Sequence, residues 1–128
     1  MADPRGSYAA VEFDALVLGS DGAGLVLVCL DRARTALAQA LAMDRGGPGE
    51  VRRSARSRAL CDAILALNAL ERGVDDAVAG GDPLLRFYRS AAAQVTAATT
   101  RFEGEAIAIL ANDLAEVRDS LVARPAIA

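Results

Sequence analysis

Gly19-Ser20-Asp21-Gly22-Ala23-Gly24, the stretch GSDGAG, lies between the apolar runs Ala15–Leu18 and Leu25–Leu30. A glycine-rich turn between a strand and a helix can cradle phosphates with backbone N–H groups, which would make this an α/β nucleotide-binding chain. The same letters can instead be a helix start, with Ser20 or Asp21 as cap and glycines that let the chain turn. The neighbouring residues favour the second reading. Gly24 is followed by Leu25 and Val26 rather than Lys and Ser or Thr, and all fourteen basic residues are arginine. Gly19, Gly22 and Gly24 carry the reverse of the dinucleotide spacing, and nothing after residue 30 reads as a strand that could pair with Ala15–Leu18. The loop is read as the entry to a helix.

At 128 residues the chain is long enough for one core and too short for two. Hydrophobic residues make up 53% and aromatics only 4%, so that core must be built from Ala, Leu, Val and Ile. Alanine and leucine lead the helix-propensity scale, with arginine and glutamate close behind. A formal net charge of −3 argues against nucleic acid as a partner. No apolar run approaches the roughly 18 residues of a membrane span, and the N-terminus lacks the apolar core of a secretory signal. No membrane association is expected, and the expected compartment is the cytoplasm.

Four helical patterns follow an N-terminal arm, residues 1–20, and together fill a bundle domain over 21–124. The first, from about Gly22 to Asp44, places Leu30, Ala33, Leu37, Ala40 and Leu41 on one stripe and stops at Arg45-Gly46-Gly47-Pro48-Gly49. The second, from about Glu50 to Arg72, turns Leu60, Ala63, Ile64, Leu67, Leu70 and Val74 inward. Asp82-Pro83 starts the third, whose stripe is Leu84, Phe87 or Tyr88, Ala91, Val95, Ala98 and Phe102. The break before the fourth falls either at the capping-box spacing Thr100…Glu103 or at Gly104. Ile107, Leu110, Leu114, Val117 and Leu121 form its seam, and Pro125 stops it. Helices of about 20 residues are each about 30 Å long, and short connections reverse the chain. The expected fold is all-α: an antiparallel up-and-down four-helix bundle with an N-terminal arm or short extra helix.

Chemistry is sparse. The absence of histidine removes the commonest general base and the imidazole metal ligands. Asp75, Asp76 and Asp82 lack calcium-loop spacing, and no serine has a base or a nucleophile-elbow context nearby. Arg52, Arg53, Arg56 and Arg58 read as a solvated helix face, and Cys29 and Cys61 as buried reduced thiols. No catalytic residue, metal or cofactor is expected; the chain reads as a binding protein.

The order of features resembles the flagellin export chaperones of the FliS type. In that family an arm bearing a tyrosine leads to a Ser-Pro helix start and a run like Leu-Ile-x-Met-Leu-Tyr-Asp-Gly-Ala. Here Tyr8 stands in the arm, and Leu25-Val26-Leu27-Val28-Cys29-Leu30-Asp31-Arg32-Ala33 occupies the place of the run. Ala59–Leu67 is similar to the family's Ala-x-x-Ile-Ile-x-x-Leu. Phe87-Tyr88-Arg89-Ser90, then Val95 and Ala98, lines up with Leu-Tyr-x-Tyr-x-x-x-x-Leu-x-x-Ala. The resemblance extends from about Tyr8 to Val122. The chain departs from the pattern where Ser20-Asp21-Gly22 replaces Ser-Pro, where Leu30 and Ser90 replace tyrosines, where Leu121 replaces a tryptophan, and where Gly80-Gly81-Asp82-Pro83 interrupts a more continuously helical region.

The resemblance implies a cytoplasmic chaperone that binds the disordered C-terminal segment of flagellin, which becomes partly helical in grooves of the bundle and is kept from polymerising. Further partners would be the flagellar export apparatus or a co-chaperone. By position, Tyr8 belongs to an arm that folds over part of the groove in the absence of client. Leu25, Leu30, Tyr88, Ala91, Val95 and Ala98 are the groove candidates, with plain core packing as the rival reading of each. A generic helical adapter or dimerisation module, pairing two copies through the Ile107–Leu121 seam, is the alternative function. A nucleotide-binding protein using loop 19–24 is the third.

Overall fold

A computed structural model describes residues 22–74 and 81–123 of the chain. Tyr8, the loop residues Gly19–Asp21, Asp75, Asp76 and Pro125 lie outside them. The described residues form four α-helices and no strand: α1 (Gly22–Arg45), α2 (Glu50–Arg72), α3 (Gly81–Thr100) and α4 (Gly104–Ala123). Gly22, Ala23 and Gly24 are the first residues of α1, so the described half of the glycine loop is helical. None of the described helices is long and apolar enough to cross a membrane.

The boundaries follow local chemistry. Arg45 places a cation at the C-terminal end of α1, where the helix dipole favours one. The chain then turns through Gly47 at φ +94° and Gly49 at φ +154°, backbone that residues with a Cβ rarely adopt. Pro48 sits between them. Glu50 places a carboxylate in the first turn of α2. Helix α3 begins at Gly81, one residue ahead of the expected cap, and Asp82 pairs with Arg86 one turn on, at 3.2 Å. Between α3 and α4 the helix breaks at both expected points. Thr100 ends α3 and α4 opens at Gly104. The Glu103 carbonyl accepts from the Ile107 N–H, and its carboxylate pairs with Arg101 at 3.4 Å. Thr100 therefore closes α3 rather than capping α4.

Helix α1 packs most extensively on α2 and also on α4, while α3 packs on α2. The expected stripes supply the core. Leu30, Ala33, Leu37 and Ala40 meet Leu60, Ala63, Leu67 and Leu70, and Tyr88, Ala91, Val95, Ala98, Ile107, Leu110 and Leu114 complete one cluster. Cys29, Ala36, Ala59 and Ala66 are also buried. Leu41, Ile64, Val74, Leu84, Phe87, Phe102, Val117 and Leu121 are half-buried around it. The seam of α4 is spent inside the chain, since Ile107, Leu110 and Leu114 are buried.

Each packed helix pair also carries one arginine–carboxylate bridge. Arg56 of α2 reaches Asp44 of α1 at 2.9 Å, Arg89 of α3 reaches Glu71 of α2 at 2.8 Å, and Arg118 of α4 reaches Asp31 of α1 at 2.6 Å. Arg56 corrects the reading of the basic cluster as a uniformly solvated face. Its side chain is only 22% exposed, and its guanidinium lies 4.6 Å from the centroid of the Phe102 ring. Gly104 adjoins the same place, since a Cβ there would sit 3.6 Å from Asp44 Oδ2 and 3.8 Å from both Leu41 Cδ2 and Phe102 Cε1. One side chain thus links the end of α1, the start of α2 and the α3–α4 connection.

Two stability outcomes follow. Ala63→Leu adds volume to a fully buried position between helices and should cost about 1–3 kcal/mol, measured by urea denaturation. Arg56→Ala should cost about 1–2 kcal/mol through the lost bridge and ring contact, whereas Arg53→Ala on the exposed surface should change stability by less than about 0.5 kcal/mol.

Candidate functional site

The third helix brings its chemistry inward. Residues 88, 91, 95 and 98 recur at steps of three, four and three, so one face of α3 is tyrosine, alanine, valine and alanine, all buried. Leu30 of α1 belongs to the same cluster, and Leu25, in the first turns of α1, is half-buried against it. The structure therefore brings Leu30, Tyr88, Ala91, Val95 and Ala98 together, with Leu25 packed at the margin. Leu30, Ala91 and Val95 have no exposed surface at all, and Tyr88 and Ala98 almost none, so these five side chains line no open groove in this state.

Tyr88 is the polar exception in that apolar setting. The residue is 1% exposed, and its hydroxyl is buried without a hydrogen-bond partner among the described residues. Phe87 packs beside it, the ring centroids 5.8 Å apart and the planes tilted by 54°. A buried hydroxyl that gave up water and gained nothing costs about 1–3 kcal/mol. Phenylalanine would fill the same volume without that cost. Such an orphaned group is where a native structure departs from its most stable sequence, and such departures concentrate at functional sites.

Burial pushes the Tyr88 phenol up to about 12, and the charge of the Cys29 thiolate, when formed, would push it further in the same direction. Burial likewise raises the Cys29 thiol to about 11, opposed by the nearby Arg32 cation and by a backbone hydrogen bond. Both groups are therefore neutral at physiological pH, and neither is an activated nucleophile. The two cysteines part company here. Cys29 is buried as expected, but Cys61 is exposed on α2 because it lies opposite the Leu60–Ala63–Leu67 stripe.

The inward stripes were readable as helical periodicity. The outer face of α2 was not read as a candidate, although it holds the exposed Val51, Leu65 and Cys61. A shallow depression there is lined by Glu50, Arg53, Ser54, Ser57, Arg58 and Cys61. The signal available in the sequence was a second stripe, Val51, Arg58, Cys61 and Leu65, at heptad-like spacing on the side away from the core.

Tyr88→Phe should leave the fold intact and raise stability by up to about 1–3 kcal/mol, measured by thermal and urea denaturation, because it removes an unsatisfied buried hydroxyl. Both raised groups hold their protons in the folded chain at pH values where the unfolded chain releases them. Their contribution to stability is complete below about pH 9, falls as Cys29 is passed between about 9 and 11, and falls again for Tyr88 between about 10 and 12. Cys29→Ala should flatten the first part of that decline, and Tyr88→Phe the second.

No protein family, curated protein or solved structure matches this chain.

Proposed function

We propose that the chain is a flagellin export chaperone of the FliS type. It works in the cytoplasm as an antiparallel up-and-down helical bundle with an N-terminal arm. It binds the disordered C-terminal segment of flagellin and keeps that segment from polymerising. The reading calls on no catalytic residue and no cofactor. Four helices of 24, 23, 20 and 20 residues, in the order the resemblance implies, support it. So do the contacts between the end of α1 and the start of α4 at Gly104, and between the later part of α4 and the earlier part of α1 at Arg118–Asp31.

The observation that carries the reading furthest is the unpartnered Tyr88 hydroxyl, at the position where the resemblance places a groove tyrosine. A client segment that entered between α1 and α3 would supply that hydroxyl with a backbone acceptor, and its apolar side chains would replace the contacts of Leu25 and Leu30. Because Leu30 is fully buried and Leu25 half-buried in the free chain, client binding has to open part of the core. The client must offset that opening together with its own loss of disorder. A long segment engaging several surfaces meets that requirement better than a short peptide does.

Calorimetric titration with the C-terminal segment of flagellin from the same organism tests this. Micromolar or tighter binding, with a large negative heat-capacity change, is the expected result. Tyr88→Phe should weaken it by roughly tenfold while stabilising the free chain, since the hydroxyl bonds only in the complex. Absence of binding by a folded sample would remove the flagellin reading and leave the helical adapter.

A further inference from the structure

Helix α2 carries a second surface that the core does not use. Val51 is 83% exposed, Leu65 is 66% exposed, and Cys61 is exposed between them. Together with Ser54, Arg58 and Arg72 they fall at residues 51, 54, 58, 61, 65 and 72. These positions form one stripe on the side opposite the buried Ala59, Leu60, Ala63, Ala66, Leu67 and Leu70.

The charge on this face is unbalanced. Arg34, Arg56, Arg86, Arg89, Arg101 and Arg118 are engaged in ion pairs. On the outer side of α2, Arg58 and Arg72 on the stripe and Arg53 at its edge are exposed and form no ion pair among the described residues, whereas the Arg52 guanidinium lies against Gly46 in the α1–α2 connection. Glu71 is committed to Arg89, which leaves Glu50 and Asp62 as the carboxylates near the stripe. An acidic chain thus gathers uncommitted cations and exposed apolar side chains along one helix face, with Arg53 and Arg58 flanking the depression at Ser54, Ser57 and Cys61.

We propose that this outer face of α2 docks an acidic amphipathic helix of a partner protein. Apolar side chains of the partner, at alternating steps of three and four, cover Val51, Cys61 and Leu65. Carboxylates flanking them pair with Arg53, Arg58 and Arg72. Opposite charges steer and orient the encounter, while the covered apolar stripe holds the complex. A nucleic acid would satisfy the arginines but leave Val51 and Leu65 against phosphates. A second copy of this chain would bring arginine-rich faces together. This surface lies on the far side of α2 from its buried stripe, so the proposal stands apart from the flagellin reading.

The test is fluorescence anisotropy of the full chain with a labelled peptide about three heptads long, Leu at the core positions and Glu at the flanking ones. Saturable binding that weakens with added salt is expected. Arg53→Glu with Arg58→Glu, and separately Leu65→Ser, should each weaken it roughly tenfold or more. Tyr88→Phe should leave it unchanged. Circular dichroism and melting of the variants, all at exposed α2 positions except Tyr88→Phe, confirm that the fold is retained. The proposal is overturned if no saturable binding occurs or if the α2 variants bind like the unaltered chain. It also fails if a single-stranded oligonucleotide or phosphatidylserine vesicles bind more tightly than the peptide, or if sedimentation finds a dimer that the same substitutions dissociate.

Discussion

The close pairing of α1 and α2 through small side chains is the constraint on which the rest of the structure depends. Ala33, Ala36 and Ala40 from one helix and Ala59, Ala63 and Ala66 from the other are all buried, with Leu37, Leu60, Leu67 and Leu70 filling the space around them. Alanine loses no rotamer freedom on burial and projects one carbon, so two helices can approach closely at little entropic cost. The consequence is a core with almost no aromatic volume. Its stability comes from close packing over a long interface, which makes it sensitive to added volume as well as to lost volume. Helices α3 and α4 then attach on either side, α3 to α2 and α4 to α1.

Apolar packing of this kind is non-directional, and several helix registers would bury similar area. The arginine–carboxylate bridges supply what the core lacks. Arg56–Asp44, Arg89–Glu71 and Arg118–Asp31 distribute one charged contact to each packed pair. Each contributes little free energy at a partly exposed site, but a slipped register would forfeit all of them. Arg56 does more than the others, because the Phe102 ring and the last turn of α1 enclose it. The region around Tyr88 is the opposite case: the hydroxyl is buried and unanswered among the described residues. One junction is polar and satisfied, the other apolar with a hydroxyl in reserve.

Much of this was legible in particular residues. The steps Leu30–Ala33–Leu37–Ala40 and Ile107–Leu110–Leu114 predicted buried faces, and those faces are buried. Gly47-Pro48-Gly49 predicted a stop, and the two glycines adopt the positive φ that only glycine takes readily there. Residues spaced like Tyr88, Ala91, Val95 and Ala98 were legible as one face, but whether that face was groove or core was not. Both read as apolar at helical spacing, and only the neighbouring helix tells them apart. Cys61 and Arg56 were misread for a related reason. Each was judged by its immediate neighbours in the chain, while its environment is set by which side of α2 meets α1.

By itself the sequence determined the helical class, the four segments and their ends, because periodicity, propensity and the Gly and Pro signals act over a few residues. Tertiary structure alone decided which arginine turns inward, which cysteine is buried, that the α4 seam closes against α1, and that the Tyr88 hydroxyl has no partner among the described residues. Those outcomes depend on contacts between residues far apart in the chain, and such contacts leave no periodic mark on either partner.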